Sequence, residues 1–268
     1  MPRVRRLRRW AVPGTAGAVL GVANVINNRV VSDRDDLAYV ASSLGATTFL
    51  VGLARTDGRT WAELGLDPSD FKRSLQVGGA AAAGVAVALL VAAAHPRGRH
   101  AFRDDRAIDR GRFGPIRAAS FRVPFGTVLL EEIAFRSVVP AILATRIGRR
   151  RAALVAAGLF GAWHILPSRD LATANEAVRG SLGPSRLAAA GFALTSTAAA
   201  GLGLGWLRTV SGSVVGPMLV HWTMNGLGYL LAGLNREPSS AAHRSSRARI
   251  TRRRSGEDGG DLEAAGPW

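Results

Sequence analysis

The chain contains no cysteine, which excludes disulfides, thiolate catalysis and cysteine-based zinc or iron–sulfur sites. It is almost without lysine: Lys72 is the only one among 35 basic residues. A lysine-poor chain rich in alanine, glycine, valine and arginine fits a high-GC bacterial genome, an inference about codons and not about chemistry. Acidic residues are scarce too, 19 in 268, which leaves a formal net charge of +16. Aromatic residues make up 6%, and no segment joins a soluble basic face to interleaved aromatics, the pattern of a nucleic-acid binder. A basic chain in which 47% of residues are hydrophobic is better suited to anionic lipid headgroups, and no nucleic-acid partner is expected.

Charge is absent from long stretches and crowded into the short segments between them, whereas a soluble α/β protein spreads its charges. Seven stretches approach the roughly 20 apolar residues with which a helix crosses the hydrocarbon layer: residues 10–28, 37–54, 74–95, 123–145, 152–168, 187–207 and 210–234. They are too long for barrel strands, and only helices satisfy their own backbone in lipid. The expected fold is all-α, a multi-pass transmembrane bundle of about seven spans occupying residues 1–234. The remaining 235–268 are polar, without apolar periodicity, and read as a disordered tail. Gly17/Gly21, Gly201/Gly205 and Gly212/Gly216 have the four-residue spacing that lets helices approach closely. The first span reads as a retained signal-anchor helix, because it lacks a small-residue cleavage site and its apolar run is long. Arg3, Arg5, Arg6, Arg8 and Arg9 argue for a cytoplasmic N-terminus. Strict alternation of seven spans then leaves the basic 96–122 stretch, read as an interfacial loop or short amphipathic helix, on the opposite side. The sequence leaves orientation open.

Glu131 and Glu132 are the only acidic residues that fall inside a predicted span. Charges at membrane depth cost several kcal/mol and tend to be paired and functional. On a helix Glu132 and Arg136 are four apart and can pair, while Glu131 points about 100° away. The division expected is one carboxylate held by Arg136 and one free to work. His164 lies late in the next span, and His221 and Asn225, four apart, share a face of the last. Such residues often only join helices by hydrogen bonds; their conjunction on three spans carries more weight. Together they suit water-dependent cleavage of an amide: Glu131 as proton acceptor and donor, His164 holding the water or ligating a metal, His221 and Asn225 stabilising the oxyanion.

The set Glu131-Glu132-x-x-x-Arg136, Phe160-x-x-x-His164 and His221-x-x-x-Asn225 resembles the three signature motifs of the CAAX protease and bacteriocin-processing family, intramembrane proteases related to type II CAAX prenyl endopeptidases. The stretch Trp61-Ala62-Glu63-Leu64-Gly65-Leu66 resembles an element often seen upstream of them. The resemblance covers about residues 61–230, with its motif core at about 121–230. It implies Glu131 and His164 as the water-activating pair, His221 and Asn225 as the oxyanion hole, and Glu132 with Arg136 in support. It also implies either a zinc ion held by Glu131, His164 and His221, with Glu132 as a further ligand, or a metal-free glutamate mechanism. The implied partners are the lipid bilayer and a membrane-associated protein or peptide substrate; together with the codon inference from composition, the expected location is a bacterial cell membrane. Two other readings remain: a non-catalytic membrane immunity or scaffold protein, and a proton-coupled transporter. The absence of an internal repeat weighs against the transporter.

Overall fold

The computed structural model describes residues 2–31, 35–96, 98–102, 113–168 and 185–234; the tail from Asn235 onward lies outside them. Among these residues the chain forms helices and no strand. Helix α1 (Pro2–Val25) continues through a π turn at Ile26–Val30. Then come α2 (Asp36–Thr56), the short α3 (Trp61–Leu64) and α4 (Phe71–Ala94). Helix α5 is one rod over residues 114–147, in which π stretches Ala118–Val128 and Ile133–Val138 alternate with α-helical turns. Helices α6 (Arg149–Trp163), α7 (Arg186–Ser211) and α8 (Val215–Leu234) complete the bundle.

The segments Asp36–Thr56, Pro68–Ala94 and Leu187–Ser211 are each long and apolar enough to cross a membrane. The helices carrying the motif residues are less suited to it, for physical reasons. Helix α5 carries Arg122, Glu131, Glu132 and Arg136. Helix α6 has 15 residues, about 22 Å against a hydrocarbon layer of about 30 Å. The apolarity of α8 is interrupted by His221 and Asn225.

The core joins α1, α2, α5 and α6 through Leu20, Leu50, Ile133, Val138, Ile142, Phe160 and Trp163, with Leu64 of α3 fully enclosed. Helix α3 starts on a reciprocal cap: Thr60 Oγ1 accepts from Glu63 N–H at 3.1 Å, and Glu63 Oε2 accepts from Thr60 N–H at 2.7 Å. That second bond holds the Glu63 carboxyl below its usual range. Helix α3 ends at Gly65, whose φ of +67° suits a residue without Cβ. The Gly65 carbonyl accepts from Val214 N–H at 3.1 Å and Ser213 Oγ at 2.8 Å, latching the α7–α8 turn onto α3.

Three expectations are corrected. The stretch 96–122 is not a loop or short helix to its end: the long α5 begins at Gly114, and Arg122 is buried within it, while 97 and 103–112 lie outside the described residues. Asp36, placed just outside a span by composition, opens α2 and is buried, paired with Arg122 at 3.1 Å and Arg117 at 2.8 Å. The Arg122 guanidinium also lies 3.6 Å from the Tyr39 ring centroid, so a buried charge from each helix is compensated across α2–α5. Lastly, the glycine spacings are not all contacts. A Cβ at Gly17, Gly21 or Gly205 would meet nothing within 4 Å. The close approach lies instead between Gly78 of α4 and Gly216 of α8, where a Cβ on Gly78 would collide with the Gly216 backbone. There Ser74 Oγ accepts from Gly216 N–H at 2.7 Å, capping α8 from α4. Gly78→Ala is therefore expected to cost about 1–3 kcal/mol by forcing this crossing apart, and Gly17→Ala and Gly21→Ala close to nothing. Unfolding in mixed micelles reads the difference; equal loss at all three positions contradicts it.

Candidate active site

The end of α6 is shaped by Pro167, which has no N–H to offer the Trp163 carbonyl four residues back. The last turn tightens, so that His164 N–H reaches the Gly161 carbonyl at 3.1 Å. The Phe160 carbonyl is left to face the His164 ring, with Nδ1 at 2.8 Å. A carbonyl only accepts, so Nδ1 carries the proton, and Nε2 of the neutral ring presents a lone pair to the interior. The ring packs edge-on to Phe160 at 4.6 Å between centroids.

Both carboxylates of α5 are enclosed, Glu131 at 4% exposure and Glu132 at 0%. Their partners differ. Glu132 Oε1 accepts from His221 Nδ1–H at 2.7 Å, and Oε2 lies 3.3 Å from Arg136 Nε. The Arg136 guanidinium sits over Phe160, 3.8 Å from the ring centroid. Glu132 thus has a hydrogen bond on Oε1 and an ion pair on Oε2, and sets the orientation of His221. Glu131 Oε1 accepts from the Trp163 indole N–H at 2.9 Å. Its Oε2 is buried without a hydrogen-bond partner, 3.8 Å from His164 Nε2 and 3.8 Å from His221 Nε2. Those gaps are too wide for direct hydrogen bonds and fit a bridging water. Asn225 Nδ2 lies 3.1 Å from His221 Nε2.

Glu131, His164, His221 and Asn225, from three helices, therefore converge on one point, with Glu132 and Arg136 behind His221. The sequence did not reveal Trp163 as the donor to Glu131, though its place directly before His164 was a usable signal. Nor did it show that Glu132 reaches His221 as well as Arg136. His221 Nε2 is engaged with Asn225, so both can aim donors at an oxyanion only when Nε2 carries a proton and the Asn225 amide turns its NH₂ outward.

The donor set is chemically suited to zinc, but its spacing is wide. Ligands about 2.1 Å from a tetrahedral ion stand about 3.4 Å apart, closer than the two 3.8 Å separations here. Among the described residues no group of three or more His, Asp or Glu side chains is gathered to hold a metal ion.

Residues 114–227 match the family model described as Type II CAAX prenyl endopeptidase Rce1-like. No curated protein and no solved structure matches the chain. The matched segment begins at the first turn of α5 and ends just after Asn225, so it encloses every residue of the convergent site. With a polar cluster buried among apolar helices and that match over the cluster, the chain is an integral membrane protein whose residues 114–227 are similar to the type II CAAX prenyl endopeptidases.

Proposed function

We propose that the protein is an intramembrane endopeptidase in which Glu131 activates the attacking water. The observation that carries this reading is Glu131 Oε2, a buried acceptor without a hydrogen bond that lies 3.8 Å from each of two imidazole Nε2 atoms, a separation a water can bridge. Glu131 takes a proton from this water as the oxygen adds to the scissile carbonyl. The His164 Nε2 lone pair accepts the other O–H and orients the nucleophile. Asn225 donates its amide N–H to the oxyanion, joined by His221 once its Nε2 carries a proton. Glu131 then returns its proton to the leaving nitrogen, and acid and amine products separate. Glu132 acts on His221 alone, keeping its Nδ1 engaged. No step is routed through a metal; a zinc ion, were these side chains to draw together around it, would act as a Lewis acid on the same water. The substrate class is a membrane-embedded or membrane-anchored protein, met within the bilayer; the composition favours a bacterial cell membrane.

Purified full-length protein in nanodiscs, given a library of membrane-anchored fluorogenic peptides, tests the assignment. Glu131→Gln is expected to lower kcat at least about 10²-fold, and Asn225→Ala by about 10²–10³-fold. Cleavage that survives Glu131→Gln contradicts the mechanism.

The two carboxylates should also separate by stability. Glu131→Gln keeps the Trp163 bond and leaves unfolding near wild type. Glu132→Gln strands the buried Arg136 and weakens the His221 clamp, at a cost of about 3 kcal/mol. Equal effects on denaturation would show that the division of labour is wrong.

Cleavage should persist after prolonged dialysis against EDTA, with substoichiometric zinc by elemental analysis. Loss of activity on chelation with recovery on zinc addition would replace the metal-free step.

A further inference from the structure

Helix α1 lies outside the matched segment 114–227, yet it reaches the site. The Trp163 carbonyl, denied a donor by Pro167, accepts instead from Asn24 Nδ2 at 3.0 Å. The orientation of the Asn24 amide is fixed by its own partner: Asn28 Nδ2 donates to Asn24 Oδ1 at 2.7 Å and to the Asn24 carbonyl at 2.9 Å. With Oδ1 turned toward Asn28, Nδ2 faces Trp163. Trp163 in turn gives its indole N–H to Glu131 Oε1 and is followed directly by His164. The next asparagine, Asn27, turns elsewhere: it bonds Ser43 at 3.0 Å, and Ser42, and so ties α1 to α2.

We propose that α1 completes the catalytic centre: Asn24, oriented by Asn28, is a positioning residue that anchors Trp163 and through it fixes both Glu131 and His164. The proposal rests on the reading of Glu131 as the water-activating base. One carboxylate oxygen bound by the indole leaves the other aimed at the gap between the imidazoles. One backbone carbonyl bound by Asn24 holds the turn from which His164 projects. Losing either bond lets these groups drift from the attacking geometry without touching the surface a substrate meets. Rate, and not apparent affinity, should suffer.

The test uses full-length protein with ¹⁵N-indole-labelled tryptophan in nanodiscs, as wild type, Trp163→Phe, Asn24→Leu and Asn27→Ala. The Trp163 indole resonance is assigned by its disappearance in Trp163→Phe. Asn24→Leu is expected to move that resonance and lower kcat about tenfold with KM within about twofold. Trp163→Phe, which keeps the carbonyl contact to α1, is expected to lower kcat by a similar factor. Asn27→Ala, which loosens α1 from α2 only, should lower the unfolding midpoint while leaving kcat and the resonance unchanged. An unmoved resonance and unchanged kcat in Asn24→Leu overturn the proposal, as does an equal loss of kcat in Asn27→Ala. If Asn24→Leu fails to fold, an unchanged kcat in Trp163→Phe overturns it. If the wild type cleaves no probe, the endopeptidase reading fails, and the indole shift alone decides whether Asn24 positions Trp163.

Discussion

The structure depends on compensating two carboxylates at consecutive positions of one buried helix. Neighbours on a helix diverge by about 100°, so a single cation could not serve both, and an uncompensated charge in this setting costs several kcal/mol. The solution draws on three helices. Glu132 takes Arg136 from its own helix and His221 from α8. Glu131 takes the Trp163 indole from α6. The crossing of α5, α6 and α8 is thereby specified by polar contacts as well as by packing. The π turns on both sides of Leu129–Glu132 belong to the same problem: they change the angular spacing along α5 where the carboxylates must meet partners on different neighbours.

Compensation is deliberately incomplete in one place. Neither Oε2 accepts a hydrogen bond, but Glu132 Oε2 lies 3.3 Å from the Arg136 cation, whereas Glu131 Oε2 meets only two imidazole Nε2 atoms at 3.8 Å. The tautomers reinforce this asymmetry. The Phe160 carbonyl commits His164 Nδ1, and Glu132 commits His221 Nδ1, so both imidazoles direct Nε2 at the same gap. Each ring is set by a group that takes no part in the proposed bond changes. Enclosure by Phe135, Phe160 and Trp163, packed edge to face at 5.4 and 5.7 Å, keeps bulk water from screening these contacts.

Much of this was legible from spacing. The four-residue interval made the Glu132–Arg136 pair readable, and the same interval put His221 and Asn225 on one face. The all-helical class followed from the length of the uncharged runs. What spacing cannot give is which helices are neighbours: that Glu132 reaches across to His221 is a fact of tertiary packing, as is the Asn24 bond to Trp163. Asp36 was missed because hydropathy places it at the edge of an apolar run, whereas its burial depends on Arg117 and Arg122 arriving from α5. The end of α6 was placed late for a related reason. Apolarity continues past Trp163, but Pro167 removes the donor that another helical turn would need. The glycine pairs failed where they did because small residues permit close approach without requiring it.

A buried site must avoid creating charge as it works, since separating new charges in a poorly polarisable interior is expensive. The proposed reaction meets that condition. Two carboxylates and one guanidinium carry a formal net charge of −1 when both imidazoles are neutral. When Glu131 takes the water proton and oxygen adds to the carbonyl, Glu131 becomes neutral and the oxyanion takes over the charge. The total stays at −1 and one negative charge has moved across the water's position. The return of the proton to the leaving nitrogen reverses the displacement. Groups that stabilise the charge at its destination, the Asn225 amide and an imidazolium His221, whose added positive charge raises the total equally in both states, therefore act on the difference between the two states. The fixed pair of Glu132 and Arg136 contributes a background that changes little between them. This is why differential stabilisation falls to the residues bordering the gap, and why the carboxylate with both oxygens engaged is the one that can be spared from the chemistry.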